Sequence, residues 1–329
     1  MFMQNNKIRS IRSEKKLLQK ILRHTEGTIL NRKNIENEND GKESTENDVL
    51  GRGIEKTSNF PAATKSTGRL STFFALAFLI GWPILILAFL TKEMIPEGLP
   101  VNNIGFLMVI APITSAFILV YKENGLDAAK RLLKRSFNYR RIPSKIWYLP
   151  IFFLPLVIYA ASLGSLTLMG VQFPEFQFSV VAVPILFLLF VIFGICEEVG
   201  WQGYAFGRME TRWKILNASI LLGLVWALWH IPGFVIQDPT GGLIWIVGQC
   251  INLVVTRVLI VWIFVKAGKS LFAAILFHAM INVCQMIHPF YSSPLAPIIA
   301  DVFTIVVIAA FAYFSRSMPP NSIIGGFRR

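Results

Sequence analysis

From Arg69 onward the chain alternates long apolar runs with short polar connections. The runs fall at about 70–91, 101–121, 147–169, 179–200, 215–235, 243–265, 270–288 and 296–315. Each is close to the ~20 residues needed to cross a hydrocarbon core of about 30 Å. Lipid offers no water to satisfy the backbone, so segments of this kind must be helices. The pattern predicts an all-α fold, a polytopic membrane helix bundle with about eight transmembrane helices. No repeat or inverted duplication of the kind that builds two-halved transporters is visible.

The connections supply a separate test. One alternating set carries Lys122, Lys130, Arg131, Lys134, Arg135, Arg140, Arg141 and Lys145, then Arg208, Arg212 and Lys214, then Lys266 and Lys269. Arg316, Arg328 and Arg329 fall on the same side, whereas the opposite connections hold only Lys92 as a basic residue. Basic loops remain in the cytoplasm, so both termini are expected there and the protein is expected to be multi-pass in the cell membrane.

Composition agrees: 54% of residues are hydrophobic, 16% are charged and the mean hydropathy is +0.55. Soluble domains carry about a quarter charged residues. The net charge of +13 borders the apolar runs. It therefore reads as contact with anionic headgroups of the lipid bilayer, and nucleic acid is not an expected partner. Residues 1–68 form a polar, disordered cytoplasmic tail in this reading, with an amphipathic surface helix around Ile8–Leu22. No apolar signal segment lies near the start. Because the membrane domain looks complete from Arg69, an upstream start codon is a second explanation of the tail. The expected division is 1–68 tail, 69–316 membrane domain and 317–329 short cytoplasmic tail. Cys196, Cys250 and Cys284 all lie in apolar runs without paired spacing and read as packing residues.

Ionisable groups inside spans are costly unless paired or facing a wet cavity, so they carry the information in such a chain. Glu197 and Glu198 sit near the end of the fourth run, in GICEEVGWQGYAFGRME. They could mark the membrane edge, but the aromatic residues that follow predict that the helix continues. A carboxylate in such a place suits a general base acting on water. His230 closes ASILLGLVWALWH, with Trp226 one turn earlier on the same face. His278 and Asn282 share one face of the seventh span through their spacing of four. Interhelical adhesion would explain the asparagine; donation to a developing oxyanion would explain both. Arg257 and Asp301 read as structural, with Arg257 snorkelling or pairing with a carboxylate. His288 reads as interfacial.

The order of these residues resembles the CAAX-protease and bacteriocin-processing (CPBP, or Abi) family of intramembrane proteases. The resemblance runs from about Arg69 to the end of the seventh span. It covers the opening LSTFFALAFLIGW, the API element at Ala111–Ile113, and the Gly125-Leu126…Leu132-Leu133 loop leading to Trp147-Tyr148. Its specific motifs are Glu197–Gly203, WALWH at Trp226–His230, and SLFAAILFHAMIN at Ser270–Asn282.

The resemblance implies hydrolysis of a peptide bond within the bilayer, in a membrane-embedded or lipidated, even prenylated, substrate. By motif, Glu197 and His230 would activate water, His278 and Asn282 would stabilise the oxyanion, and Glu198 would support them. No metal is required for a glutamate-and-histidine site, although a divalent ion such as zinc is the alternative for this family. Two positions depart from its pattern. Gln202 stands where the glutamate motif ends in Arg, and Trp226 where Phe is common. Gln202 supplies no charge to Glu198, which leaves Arg257 as a compensating cation and a non-catalytic immunity or scaffold role as the alternative to proteolysis. A simple ladder of helices also sets His230 roughly 10 Å deeper than Glu197 and His278 at 1.5 Å per residue. The proposed chemistry requires the fold to close that gap.

Overall fold

The apolar runs fold as helices, and among the described residues there is no strand. The computed structural model describes residues 67–91, 100–172, 181–237, 242–288 and 295–317, all within the unit Lys65–Arg329. The expected surface helix at Ile8–Leu22 and almost all of both tails lie outside them. The helices are α1 (Thr67–Thr91), α2 (Ile110–Lys134, entered through a 3₁₀ segment at Pro100–Val109), α3 (Tyr148–Leu168) and α4 (Ala182–Glu198). They continue as α5 (Ile215–Gln237), α6 (Gly242–Lys266), α7 (Leu271–Ile287) and α8 (Leu295–Ser317).

Seven of these helical stretches are long and apolar enough to cross a membrane, and α7 is the shorter one at 17 residues. The result is a polytopic helix bundle. Its outer face carries Leu79, Leu90, Val157, Ile185, Leu188 and Val306, while Glu197, Glu198, Arg257 and Asp301 are buried. Apolar groups outside and charges inside is the arrangement hydrocarbon demands.

α7 is the helix around which the site forms. It packs against α3, α4 and α6, and the side chains from Ala273 to Ala279 are all buried. Ser270 caps its first turn, accepting from the Ala273 amide at 3.2 Å, as an N-cap serine should.

Two boundaries differ from the sequence expectation. Gly125, with φ 76° and ψ 179°, breaks α2, and the chain then resumes helix to Lys134 where a loop was predicted. Ala128, Ala129 and Leu132 of this piece are buried, so its apolar side has a core to pack on. The second concerns the glutamates. The helix passes beyond them, as the aromatic residues suggested, but as a π-helix over Val199–Phe206 followed by a short α-turn at Gly207–Met209. π-Helical turns are rare and concentrate at functional sites.

Gly200 explains how this turn is seated. A Cβ there would lie 2.5 Å from the Pro112 carbonyl oxygen and 2.6 Å from the Pro112 carbonyl carbon and Cβ. The API element of α2 thus touches the backbone of the π-helix directly. Gly200→Ala is expected to destabilise the protein by about 1–3 kcal/mol, because the obstructing atoms are mostly backbone and cannot swing aside. A melting temperature of Gly200→Ala equal to that of the wild type would show that α2 can retreat freely.

Candidate active site

Glu197 and Glu198 are consecutive, so helical geometry turns them to different neighbours. Glu197 faces α5, and its Oε2 accepts a hydrogen bond from Trp226 Nε1 at 2.8 Å. Glu198 faces α6 and α7. Arg257 Nη1 donates to both of its oxygens, at 2.9 and 2.8 Å, and His278 Nδ1 lies 2.8 Å from Oε1. Glu198 and Arg257 are both fully buried. This ion pair lies inside the bundle, where a lone charge would be costly.

Trp226 is the residue at which the other groups meet. Its indole holds Glu197, and its backbone oxygen lies 2.9 Å from His230 Nδ1. A carbonyl only accepts, so Nδ1 carries the hydrogen, and in the neutral imidazole Nε2 holds the lone pair. The His230 ring stands edge-on to Trp226 at 5.1 Å, and the His278 ring does the same at 5.4 Å. The Arg257 guanidinium lies over the Trp226 face, 4.0 Å from the ring centre. The depth mismatch of the simple ladder is bridged by this tryptophan, one turn before His230.

α1 steadies the same turn of α5. Trp229 Nε1 donates to the Ala77 carbonyl at 3.1 Å, and Trp82 Nε1 donates to the Trp229 carbonyl at 3.2 Å. Neighbouring aromatic rings complete the wall: Trp229 and Phe234 lie 4.8 and 5.9 Å from the His230 ring.

Two buried carboxylates, two histidines and a guanidinium are thus contributed by four helices. Residues 179–284 match the family of type II CAAX prenyl endopeptidases, Rce1-like. CAAX prenyl protease 2 of Methanococcus maripaludis is 34% identical over 190 residues, which cover 54% of this chain and 69% of that protein. The chain belongs to the CAAX prenyl endopeptidase family. The matched span of this family member starts just before α4 and ends within α7, and so contains Glu197, Glu198, Trp226, His230, Arg257, His278 and Asn282.

Gln202 is the position at which the sequence resemblance led to an expected arginine. Gln202 is buried, and neither its amide oxygen nor its nitrogen has a partner among the described residues. The cation beside Glu198 comes from α6 instead. Asn282 stands one turn beyond His278, half-buried, and outside the hydrogen-bonded set around Glu198. A zinc ion would need three or four His, Cys or carboxylate ligands. Among the described residues no group of three or more such side chains is arranged to hold a metal ion. Glu198, engaged by Arg257 and His278, is poorly placed to become a ligand.

Other intramembrane polar residues form a second cluster. Asn252 Nδ2 donates to Asp301 Oδ1 at 2.8 Å. Gln285 Nε2 lies 2.9 Å from both Asn252 Oδ1 and Tyr159 OH. Asp301, read from sequence as structural, accepts here from α6. His288, read as interfacial, is buried in the structure and stands edge-on to Tyr159 at 5.5 Å. Sequence reading passed over Tyr159, Asn252 and Gln285. The available signal was amides inside apolar runs, with Gln285 seven residues after His278 and so on the same side of α7. Of the cysteines, Cys284 is buried and Cys196 and Cys250 are half-buried, all as free thiols.

Proposed function

We propose that the chain is an intramembrane endopeptidase that hydrolyses a peptide bond in a membrane-associated, prenylated substrate. The supporting observation is that Trp226 fixes Glu197 through its indole and His230 through its backbone carbonyl. A single residue thereby orients a carboxylate and an imidazole Nε2 lone pair, the two acceptors needed to polarise a water molecule.

In the proposed reaction the water oxygen attacks the scissile carbonyl carbon while Glu197 takes its proton. The carbonyl π-electrons move onto oxygen, and His278 and Asn282 donate hydrogen bonds to that oxyanion. His278 does so through Nε2–H in its imidazolium form, with Nδ1–H directed at Glu198. Collapse of the tetrahedral intermediate breaks the C–N bond, and the proton held by Glu197 passes to the leaving amine. None of these steps uses a metal.

The substrate class is suggested by the name of the relative, a CAAX prenyl protease. A CAAX sequence ends in a prenylated cysteine followed by three residues. Basic connections set the cytoplasmic side of the bundle, so the site is proposed to act on peptides anchored in the cytoplasmic leaflet, with both termini of the chain on that side.

The test is cleavage by the purified full chain in proteoliposomes of a peptide ending in farnesyl-Cys and three further residues, read by mass spectrometry. The expected product is the free tripeptide, formed at least tenfold faster than from the same peptide without the lipid. Equal rates on both would remove prenyl recognition from the proposal. No product from either, with a correctly folded chain, would overturn the protease reading in favour of a non-catalytic membrane role.

A further inference from the structure

We infer that Arg257 is a positioning residue of this site: from α6 it supplies the positive charge that position 202 lacks, and thereby fixes Glu198 as the acceptor that orients His278. The inference rests on the protease reading above and adds a residue to it.

Glu198 is fully buried, and two neighbouring helices each offer it one side chain. Gln202, four residues further along the same helical stretch, is neutral and makes no described hydrogen bond. α7 offers His278 and α6 offers Arg257. With His278 alone, carboxyl and imidazole would share a mobile proton, and Nδ1 could donate or accept. Arginine is always charged. Its Nη1 donates to both Glu198 oxygens, which holds the group as a carboxylate. The histidine nitrogen facing it must then be the donor, and Nε2 is the atom left for substrate.

The backbone explains why an arginine on α6 can reach. A Cβ on Gly223 would lie 2.9 Å from Val254 Cα and 3.3 Å from Arg257 Cβ. α5 and α6 are therefore in backbone contact at the level of Arg257, one turn before Trp226. The stem passes through this contact and the guanidinium ends over the Trp226 ring at 4.0 Å. Arg257 thus touches the partner of Glu197 and the partner of His278, but neither of those residues in any described hydrogen bond. It acts on both through another residue, which is what positioning means. An arginine at position 202 would approach the same carboxylate along its own helix, since residues four apart lie on one side. The two charge sites should be exchangeable.

The test compares wild type, Arg257→Met, Arg257→Lys, Gln202→Arg and the charge-restoring double variant Gln202→Arg/Arg257→Met, by kcat, KM and melting temperature in proteoliposomes. Arg257→Met is expected to lower kcat about 100-fold while KM stays within about threefold, the signature of lost transition-state orientation. The double variant is expected to recover at least tenfold of that loss, because the two changes act on one carboxylate. Gln202→Arg alone sets two guanidinium groups on Glu198 and is expected to lower the melting temperature with no gain in kcat.

Wild-type kcat in Arg257→Met, a loss confined to KM, or a folded double variant with no recovery would each overturn the inference. If Arg257→Met does not accumulate in membranes, Arg257→Lys decides. Retained cleavage with the charge kept supports the inference, and a folded, inactive Lys variant overturns it. A wild-type chain that cleaves nothing is a failure of the protease reading, recognised before any variant is compared. The exchange of charge sites is then judged by melting temperature alone, where the double variant must lie above Arg257→Met or the exchange is overturned as well.

Discussion

Glu197→Gln is expected to slow cleavage by about 10²–10⁴-fold, the usual contribution of a positioned general base, without lowering the melting temperature. The separation follows from what surrounds the side chain. Glu197 is buried, and its described hydrogen bond is the one from Trp226 Nε1. The amide oxygen of glutamine can still accept that bond, without the assistance of charge. A neutral amide also loses less solvation than a carboxylate on entering the bundle. Folding therefore gains or stays level, while the group that takes the proton from water is gone. Single-turnover cleavage and thermal melting of the same preparation measure both halves. Activity within tenfold of the wild type would remove Glu197 from the base role, and a large fall in melting temperature would make it a structural residue.

Its neighbour should behave in the opposite way. Glu198→Gln is expected to destabilise the protein by about 3 kcal/mol, the lower end of the cost of breaking a buried ion pair by removing one charge. The lower end applies because the amide oxygen can still accept from Arg257 Nη1. What is lost is the negative charge facing a guanidinium that is itself fully buried. Cleavage should fall too, since His278 loses the acceptor that orients it. Melting of Glu197→Gln and Glu198→Gln side by side gives the contrast: no loss for the first, a clear loss for the second. Equal melting temperatures would mean that Arg257 finds another partner.

Much of the architecture was legible because hydrocarbon leaves few options. The run from Ala182 to Ile195 has no polar side chain with which to do anything but form a helix against lipid and apolar neighbours. Glu197 and Glu198 then stand out because a carboxylate after such a run needs a partner. His230 and His278 could be selected by the same reasoning.

The pairing of Arg257 with Glu198 was read from sequence only as an alternative to snorkelling, and the structure decides for the pair. Glu198 and Arg257 are 59 residues apart, and nothing in the spacing says that α6 packs beside α4's end. The pairing depends on Gly223 admitting the α6 backbone, a contact between two helices whose adjacency is a tertiary fact. Nor did the ladder of spans anticipate that the helix widens into a π-turn just beyond the glutamates. Depth estimated from 1.5 Å per residue set His230 apart from Glu197, whereas Trp226 spans the interval. The amide cluster was missed for a further reason. Asn252 and Gln285 are unremarkable singly, and gain meaning only when four helices bring Tyr159 and Asp301 to them.

That cluster bears on how the bundle is made. Its members come from α3, α6, α7 and α8, so its hydrogen bonds cannot be completed until α8 has joined the rest. A nascent chain that has inserted α6 and α7 holds Asn252 without Asp301, and in lipid no water stands in for the absent partner. Arrival of α8 supplies the Asp301 oxygen to Asn252 Nδ2, while Gln285 already serves Asn252 Oδ1, so the last helix to emerge is the one that completes the polar interior.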